Sequence, residues 1–500
     1  MIRWTCGFSV RVPRRSDPVT DTLLNGVVMK YSKTFFYVII FAVLFIWGCT
    51  APTLTVPDRI HYPPLSFTLP KAERIALDNG IIMYFIEDRE LPLININAVI
   101  RTGNIYDDPG KEGLAALTGT VMRTGGTTGM TGDEIDDELD YIAADISVAS
   151  GKESASASLS VLKNDLDKGL QIFSDILIHP AFERAKLSRA KELKIESLRR
   201  VYDNPQKLAF REFVKVMYRG NPRGRVSTID SVQNITREDL VRFHTRYFFP
   251  ANVMIAVTGD ISKQEAIASI QKYFGAWSAS GHVDPVPLPQ HAATTSINYM
   301  YKDAPQSIVL LGQFAPGESD PDFYAFEIMD FIAGSGGFRS RIFGEVRNNL
   351  GLAYSAGSFY SPRREFGVFG AYAMTKTAST VKSLRVIRSI IDDMRTTPVS
   401  PTDLAWAKKS ITNNFIFSFT SSRQIAVELM MLEFNKLPKE FLTTYRDRIN
   451  SVTAEDVRRV ADTYLDDMHE TLFVLGDGKN FDTPLSTLGT VNEIQSGEKP

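Results

Sequence analysis

The alternation of hydrophobic and polar positions predicts strands in the first third of the chain. Residues 74–86 read as two strands joined at Asn79-Gly80, a dipeptide typical of hairpin turns. Residues 93–100 predict a third strand. Residues 154–162 alternate serines with apolar side chains, and this period of two predicts a strand with one buried face.

Helical signals lie around and between these strands. Thr131 and Glu134 have the spacing of a capping box, which predicts a helix from near Asp133 to about Ala144. Two further helices are expected at residues 165–177 and 184–201. The last of these carries charges of both signs, which favours a solvated face over a nucleic-acid patch.

A short helix with one unusually small face is predicted within residues 113–127. Its buried stripe follows the spacing i, i+3, i+7: Leu114, Leu117 and Val121. Ala116, Gly119 and Thr120 share another face of the same helix. Glycine inside a helix costs about 1 kcal/mol relative to alanine, so Gly119 needs a reason.

Two distant segments repeat one another and divide the chain into halves. Thr236 and Tyr247 are 11 positions apart, as are Thr453 and Tyr464, and each tyrosine is followed 12 positions later by Gly-Asp. This match, at an offset of 217 residues, indicates a duplication. Because each half mixes strands, hairpins and helices, the predicted class is α+β. The expected organisation is as follows: an N-terminal half at 66–280, a proline-rich linker at 281–296, a C-terminal half at 297–480 and a disordered tail at 481–500.

Composition narrows the possible chemistry. The 500 residues are 44% hydrophobic and carry a formal net charge of -2, which gives no reason to expect nucleic acid as a partner. Two cysteines, Cys6 and Cys49, exclude a disulfide framework, and no two of the six histidines have the spacing of a helical metal site. The glycine-rich runs 125–129 and 334–337 do not fit phosphate-binding motifs.

The N-terminal region reads as an export signal. The uncharged run 34–47 follows a short basic leader and has the length of a signal-peptide core, too short for a comfortable membrane span. It ends in Gly48-Cys49, similar to a bacterial lipoprotein cleavage box, so residues 1–48 are expected to be an upstream segment and signal peptide that starts at Met29. The similarity implies a lipid on Cys49, a tether at 49–65 and, from Thr50, the periplasmic face of the outer membrane. A plain signal anchor with an incidental cysteine is the alternative.

The small-faced helix, preceded by the extended segment 101–108, resembles the start of the pitrilysin/insulinase zinc metallopeptidases. The resemblance implies two related α+β halves that face each other across a peptide-holding chamber. In active members this helix carries H-x-x-E-H, whose histidines bind zinc and whose glutamate activates water. The matching positions here are Ala116, Gly119 and Thr120, so all three groups are missing.

The third zinc ligand of the resembled family is a glutamate roughly 80 residues beyond the first histidine, and the matching position is Glu196. One carboxylate cannot hold zinc in a catalytic site, which needs three protein ligands. The favoured reading is therefore a solvated Glu196 on a charged helix. We expect no metal and no cofactor in this chain, with zinc in a partner.

Residues 334–355 resemble the C-terminal active-site segment of the same family. In that segment an arginine and a tyrosine seven residues apart reach across the chamber to the substrate, and Arg347 and Tyr354 have this spacing. The resemblance implies that they stabilise the oxyanion of the tetrahedral intermediate. The alternative is structural: Arg347 pairs with Glu345 or another neighbour, and Tyr354 packs on the core.

Some members of the resembled family are split into two chains, one with H-x-x-E-H and one that donates the arginine and tyrosine. The resemblance therefore implies a zinc-free subunit of a heterodimeric periplasmic peptidase, inactive alone, which binds peptide substrates and supplies Arg347 and Tyr354 to its partner. Two alternatives stay open. One is a peptide-binding or structural envelope protein with no catalytic part, and the other is an independent peptidase with a rearranged site.

Overall fold

The computed structural model describes residues 71–290 and 294–495. These residues form two six-stranded sheets with helices on their faces, so the predicted α+β class is confirmed. The signal segment, Cys49 and the tether at 49–65 lie outside the described residues. Within the described ranges, no helix is long and apolar enough to cross a membrane.

The first sheet contains the predicted hairpin and the predicted alternating strand. Its strands are β1 Glu73–Ala76, β2 Ile82–Glu87, β3 Leu93–Ile100, β4 Asp145–Ser150, β5 Ala155–Leu162 and β6 Val253–Gly259, in the order β1-β2-β6-β3-β5-β4. β1 and β2 are antiparallel, and Gly80 in their turn has a left-handed φ of 95°. β2 and β6 are parallel.

The first half has eight helices in the part of the chain that the structure describes. They are α1 Leu114–Thr124, α2 Gly132–Tyr141, α3 Leu166–Ile178, α4 Arg184–Val201, α5 Pro205–Met217, α6 Ile229–Gln233, α7 Arg237–Tyr247 and α8 Lys263–Phe274. The capping box at the start of α2 is formed as predicted, with Thr131 and Glu134 bonded reciprocally. α2 ends three residues before the expected Ala144, and Ala143 just beyond it has a left-handed φ of 48°.

The second sheet repeats the first. Its strands are β7 Ser296–Tyr301, β8 Gln306–Ala315, β9 Ala353–Pro362, β10 Gly367–Lys376, β11 Thr471–Gly476 and β12 Val491–Glu493, in the order β12-β7-β11-β8-β10-β9. Its helices are α9 Phe323–Asp330, α10 Thr380–Thr396, α11 Pro401–Ile416, α12 Ser422–Phe434, α13 Phe441–Ser451 and α14 Ala454–Tyr464. The order β7-β11-β8-β10-β9 matches β2-β6-β3-β5-β4, and α7 and α14 begin with equivalent Thr-Asp capping boxes. The two sheets differ in the strand that covers one edge.

That edge corrects the prediction of a disordered tail at 481–500. β12 pairs in parallel with β7, and Leu485 is buried against Val381 and Val474. The apolar residues of this segment are too few to give a period, but they cover the open edge of the second sheet. Residues 481–495 are therefore structured, and 496–500 lie outside the described residues.

The two halves exchange one helix each. α5 of the first half lies on the second sheet against β8 and β11, while α12 of the second half lies on the first sheet against β2 and β6. Phe213 of α5 fits closely over Gly312, where an added Cβ would lie 2.3 Å from the ring. Both faces of the central strands are thereby covered, which explains why every residue of β6 is buried.

Candidate functional site

The helix α1 contains the three positions at which the zinc-motif groups are missing. Asp107 anchors the start of this helix. The carboxylate of Asp107 accepts hydrogen bonds from the backbone amides of Gly113 (2.6 Å) and Ala115 (2.7 Å), two of the donors that a helix N-terminus leaves without partners. Asp107 is 2% exposed. Burial raises its pKa to about 7, although both amides favour the charged form.

The small face of α1 is covered by the protein only at Gly119, whereas Ala116 is partly exposed and Thr120 is exposed. The Thr120 hydroxyl donates to the carbonyl of Ala116 at 3.0 Å, within the same helix. Gly119 faces strand β4, where an added Cβ would lie 3.0 Å from the Ser150 hydroxyl and 3.3 Å from the Ser150 amide. A longer side chain at 119 would have to displace Ser150, so the glycine allows this close approach of helix and strand.

Glu196 lies on the exposed side of α4, and its carboxylate accepts from Arg200 Nε at 2.9 Å. This i, i+4 pair is half exposed and is typical of a solvated helix face. α4 packs against α1 through its opposite, apolar side. Across residues 71–290 and 294–495, no three His, Cys, Asp or Glu side chains are grouped so that they could hold a metal ion.

Arg347 and Tyr354 are brought together in the second half. The Arg347 guanidinium carbon lies 5.4 Å from the centre of the Tyr354 ring and 4.8 Å from that of Phe343. Both distances are within the range of cation–π contacts. Arg347 forms no ion pair with any described residue, because the carboxylate of Glu345 accepts instead from Asn349 Nδ2 at 2.7 Å. Tyr354 is the second residue of the edge strand β9 and is 76% exposed, so it does not pack on the core.

The backbone that carries Arg347 is unusual. Residues 331–335 and 343–349 form π-helices, a rare conformation that is frequently found at functional sites. The glycine-rich run 334–337, which begins inside the first π-helix, allows β9 to approach closely, because a Cβ on Gly334 would lie 2.2 Å from the amide of Ser358. These glycines therefore serve backbone packing. The sequence showed that Arg347 and Tyr354 are seven positions apart, but it contained no signal for the π-helices.

The two sets of predicted residues occupy different halves of the chain. α1 packs mainly against β4, α4 and α7, whereas the segment 343–349 packs mainly against β9. Arg347 and Tyr354 therefore belong to one exposed cluster with Phe343 and the exposed Phe338, whose ring meets Phe343 edge-on at 4.9 Å. A guanidinium and a phenolic hydroxyl on one surface can donate hydrogen bonds to a carbonyl oxygen or an oxyanion, and the aromatic rings can contact a partner.

Two acids in the second half, the buried Asp330 and the partly buried Glu327, were missed by the sequence analysis. Glu327 and Asp330 lie one turn apart on α9. This helix follows β8 and precedes β9 in the chain, just as α1 follows β3 and precedes β4 in the first half. Glu327 accepts from the Tyr445 hydroxyl and Asp330 from the Ser358 hydroxyl, both at 2.5 Å. Burial raises the pKa of Glu327 to about 7 and that of Asp330 to about 6. The signal in the sequence that could have identified them is the presence of two acidic residues in an otherwise apolar helix.

Comparisons with known protein families match most of the chain. Residues 86–228 match a model described as "Insulinase (Peptidase family M16)", and residues 234–411 match one described as "Peptidase M16 inactive domain". A relative named as an uncharacterized zinc protease of Rickettsia bellii is 26% identical over 302 residues, which cover 60% of this chain and 72% of that protein. The mitochondrial-processing peptidase subunit beta of Mus musculus is 22% identical over 448 residues, covering 87% of this chain and 89% of that protein.

Solved structures show the same fold. A peptidase M16 inactive domain from Pseudomonas fluorescens superposes with a TM-score of 0.75 at 24% identity, covering 82% of this chain and 98% of that one. A protease from Helicobacter pylori superposes with a TM-score of 0.74 at 21% identity, covering 81% and 100%. The repeated order of strands, the two family matches and these superpositions all indicate the same two-domain fold. The chain belongs to the M16 (insulinase) peptidase family, with an N-terminal insulinase domain and a C-terminal domain of the inactive type.

Proposed function

We propose that this chain is the zinc-free subunit of a two-chain peptidase and brings Arg347 and Tyr354 to the zinc site of a partner that carries H-x-x-E-H. The observation that carries this proposal is the pair itself: a guanidinium without a carboxylate partner among the described residues lies against a tyrosine that is 76% exposed. The small face of α1, at Ala116, Gly119 and Thr120, offers no comparable chemistry of its own.

The chemistry follows from what each chain supplies. The partner contributes the zinc and the glutamate that activates water, and this chain contributes donors for the oxyanion that forms from the peptide carbonyl. Arg347 offers a fork of N–H donors and Tyr354 a phenolic O–H, and the contact with the two rings holds the guanidinium in place. A relative named as one subunit of a peptidase supports the paired arrangement.

Peptide binding is proposed at the edge of a sheet. β4 is the last strand of the first sheet and lies against α1, and β9 is the last strand of the second. An edge strand presents unpaired backbone amides and carbonyls, which an extended peptide can pair with as an added strand. The chamber between halves that the family resemblance implies remains part of this proposal.

The proposal also places the protein in the bacterial cell envelope, on the periplasmic face of the outer membrane, through lipid at Cys49. Gly48-Cys49 after an uncharged run supports this location. Cys49→Ser should move the protein from the membrane fraction to the soluble fraction and remove incorporated labelled palmitate. An unchanged membrane fraction would favour the signal-anchor alternative.

The experiment is peptide hydrolysis and zinc content of the purified full chain, alone and mixed with the H-x-x-E-H homologue encoded nearest to it. The chain alone should be inert and free of zinc, and the mixture should cleave peptides. Arg347→Ala should lower the activity of the mixture by about 100-fold, the usual effect of losing an oxyanion donor. Arg347→Lys should recover only part of it, because a point charge replaces a planar fork. Tyr354→Phe should also lower the activity.

Matched controls are Arg199→Ala, which removes an exposed arginine of the first half, and Tyr301→Phe, which removes the hydroxyl of a tyrosine that is 58% exposed. Neither should change the activity. If the mixture is no more active than the partner alone, or if the Arg347 and Tyr354 variants retain full activity, the catalytic contribution is wrong and a peptide-binding or structural role takes its place. Zinc and hydrolysis in this chain alone would overturn both roles.

A further inference from the structure

A cavity of about 1050 Å³ lies where the C-terminal end of α12 meets the edge of the first sheet formed by β1 and β2. The sheet and the helix line it with hydrocarbon side chains: Ile82, Val253 and Met254 from the sheet, and Leu429, Leu432 and Leu437 from α12 and the loop after it. This size and lining are those of sites that bind small apolar ligands. The cavity is far larger than the space that a single buried water requires.

Cationic groups surround this apolar interior. Lys71, Arg74, Arg101, Lys436 and Lys439 line the cavity, and Glu433 is the one acidic lining residue among those that the structure describes. The Glu433 carboxylate is already bound by Arg74, at 2.7 and 2.8 Å, and by the Tyr84 hydroxyl at 2.5 Å. Lys71, Lys436 and Lys439 form no ion pair with any residue in the described ranges. The excess positive charge favours an anionic ligand.

Arg101 is the lining residue expected to stabilise a bound anion most strongly. Its guanidinium lies 4.2 Å from the centre of the Phe434 ring and donates to the Phe434 carbonyl, a neutral acceptor. Burial lowers the pKa of Arg101, as expected for a cation whose charge is poorly compensated. Arg101 and Lys436 also line a second cavity of about 670 Å³, whose lining mixes cations such as Arg363 and Arg364 with acids such as Glu318 and Glu365. The two residues therefore stand at the junction of an apolar and a charged space.

The interior suits a hydrocarbon chain better than a peptide. The donors of the three uncharged polar side chains in the lining are used within the protein: Tyr84 donates to Glu433, Asn252 to the carbonyls of Arg101 and Tyr247, and Thr443 to the carbonyl of Glu440. A peptide would bury amides and carbonyls that each need a partner. An alkyl chain has no such groups and gains from every apolar contact.

We propose that this cavity binds a long-chain carboxylate, with its alkyl chain against Ile82, Met254 and Leu432 and its carboxylate at Arg101 and Lys436. The single negative charge matches the unpaired cations at the mouth, and the chain matches the apolar interior. This site is separate from the Arg347 cluster, and the proposal does not depend on the proposed peptidase role.

The test uses hexadecanoic acid that carries a photoreactive diazirine on its chain, applied to the purified full chain below the concentration at which the acid forms micelles. After irradiation and proteolysis, mass spectrometry should place the cross-links on peptides that contain residues 72–84, 251–254 or 429–437. Unlabelled hexadecanoate should compete for labelling, whereas hexadecanol, which has the same chain without the charge, should compete at least about tenfold more weakly.

Two variants separate the charge from the shape of the site. Lys436→Gln combined with Lys439→Gln should weaken hexadecanoate competition about tenfold, as expected for the loss of charge-assisted contacts to a carboxylate. Leu429→Trp should block labelling by filling the cavity while leaving every cation in place. The matched control is Lys382→Gln, an exposed lysine outside the lining, which should change nothing.

The outcomes decide between the parts of the proposal. Equal competition by hexadecanol and hexadecanoate would refute the anionic specificity. Cross-links confined to other peptides, or labelling that persists in Leu429→Trp with a folded circular dichroism spectrum, would refute the site. Peptidase activity of the mixture with the H-x-x-E-H partner is measured on the same variants. Its retention in Leu429→Trp is expected, so failure of the lipid site and failure of the proposed function are distinguishable.

Discussion

Replacing Glu327 by glutamine should make the protein more stable at pH 8 and only slightly more stable at pH 5. Glu327 is largely buried on α9, where one carboxylate oxygen accepts from the Tyr445 hydroxyl at 2.5 Å. The other oxygen is buried without a hydrogen-bond partner among the described residues. A charge in such a place is poorly solvated, and glutamine is close in shape to the protonated acid.

The size of the effect follows from the pKa. The pKa of Glu327 is about 7 in the folded chain against an ordinary value of 4.5. The folded state therefore holds this proton more tightly than the unfolded chain, and stability is lost as pH rises through this interval. At about 1.4 kcal/mol for each pH unit, the cost of the charged glutamate reaches roughly 3 kcal/mol above pH 7 and vanishes below pH 4.5. Glutamine carries no such cost.

The assay is urea unfolding, followed by circular dichroism, of the wild-type chain and Glu327→Gln at pH 5 and pH 8. The free energy of unfolding of the variant should exceed that of the wild type by up to about 3 kcal/mol at pH 8 and by less than about 1 kcal/mol at pH 5. Glu440→Gln is the matched control, because Glu440 is exposed and close by at the start of α13. Its effect should be the same at both pH values.

An unfolding difference between wild type and Glu327→Gln that is equal at the two pH values would show that the carboxylate titrates normally. A variant that is less stable than the wild type at pH 8 would show that the charged carboxylate is stabilised by its surroundings. Either result would refute the assignment of a raised pKa to burial.

Three further predictions concern the contacts that join the halves and start α1. A double-mutant cycle with Arg74→Ala and Glu433→Ala should give a coupling free energy of about 1 kcal/mol in urea unfolding, which is modest because the ion pair is half exposed. A coupling near zero would show that this ion pair does not hold α12 in place. Phe213→Ala should cost about 3–5 kcal/mol, because this ring is 2% exposed on the second sheet, and a cost below 1 kcal/mol would contradict the docking of α5. Asp107→Ala should cost about 2 kcal/mol and speed hydrogen exchange at the first amides of α1, and unchanged exchange would deny the capping role.

Local patterns predicted the elements well because strands and helices with one buried face have short periods. The alternation at 154–162 became β5 and the capping box at Thr131 became the start of α2. The repeat of Thr236 and Tyr247 at Thr453 and Tyr464 corresponds to α7 and α14. The order of strands was not predicted, since strand pairing joins residues far apart in the chain. The exchange of α5 and α12 was not predicted either, because an apolar stripe shows that a face is buried but not which sheet buries it.

The candidate site was predictable where it depends on spacing and not where it depends on surroundings. A spacing of seven positions from Arg347 to Tyr354, in a segment that resembles the active-site segment of the family, sufficed to identify a pair, and the structure places the two in contact. The surroundings of the pair could be learned only from the structure. The Glu345 carboxylate is bound by Asn349 rather than by Arg347, and the backbone that carries Arg347 is π-helical. Glu327 was missed because an acid inside an apolar helix reads as an exposed position until its neighbours are known.

The exchanged helices have a consequence for how the chain is made. Synthesis from the N-terminus completes the first sheet at Gly259, but α12, which covers its face, ends at Phe434 and leaves the ribosome much later. Until then the nascent first half has an apolar surface with nothing on it. A product truncated in the linker should therefore bind chaperones or aggregate, whereas its co-expression with the second half should rescue solubility of both fragments.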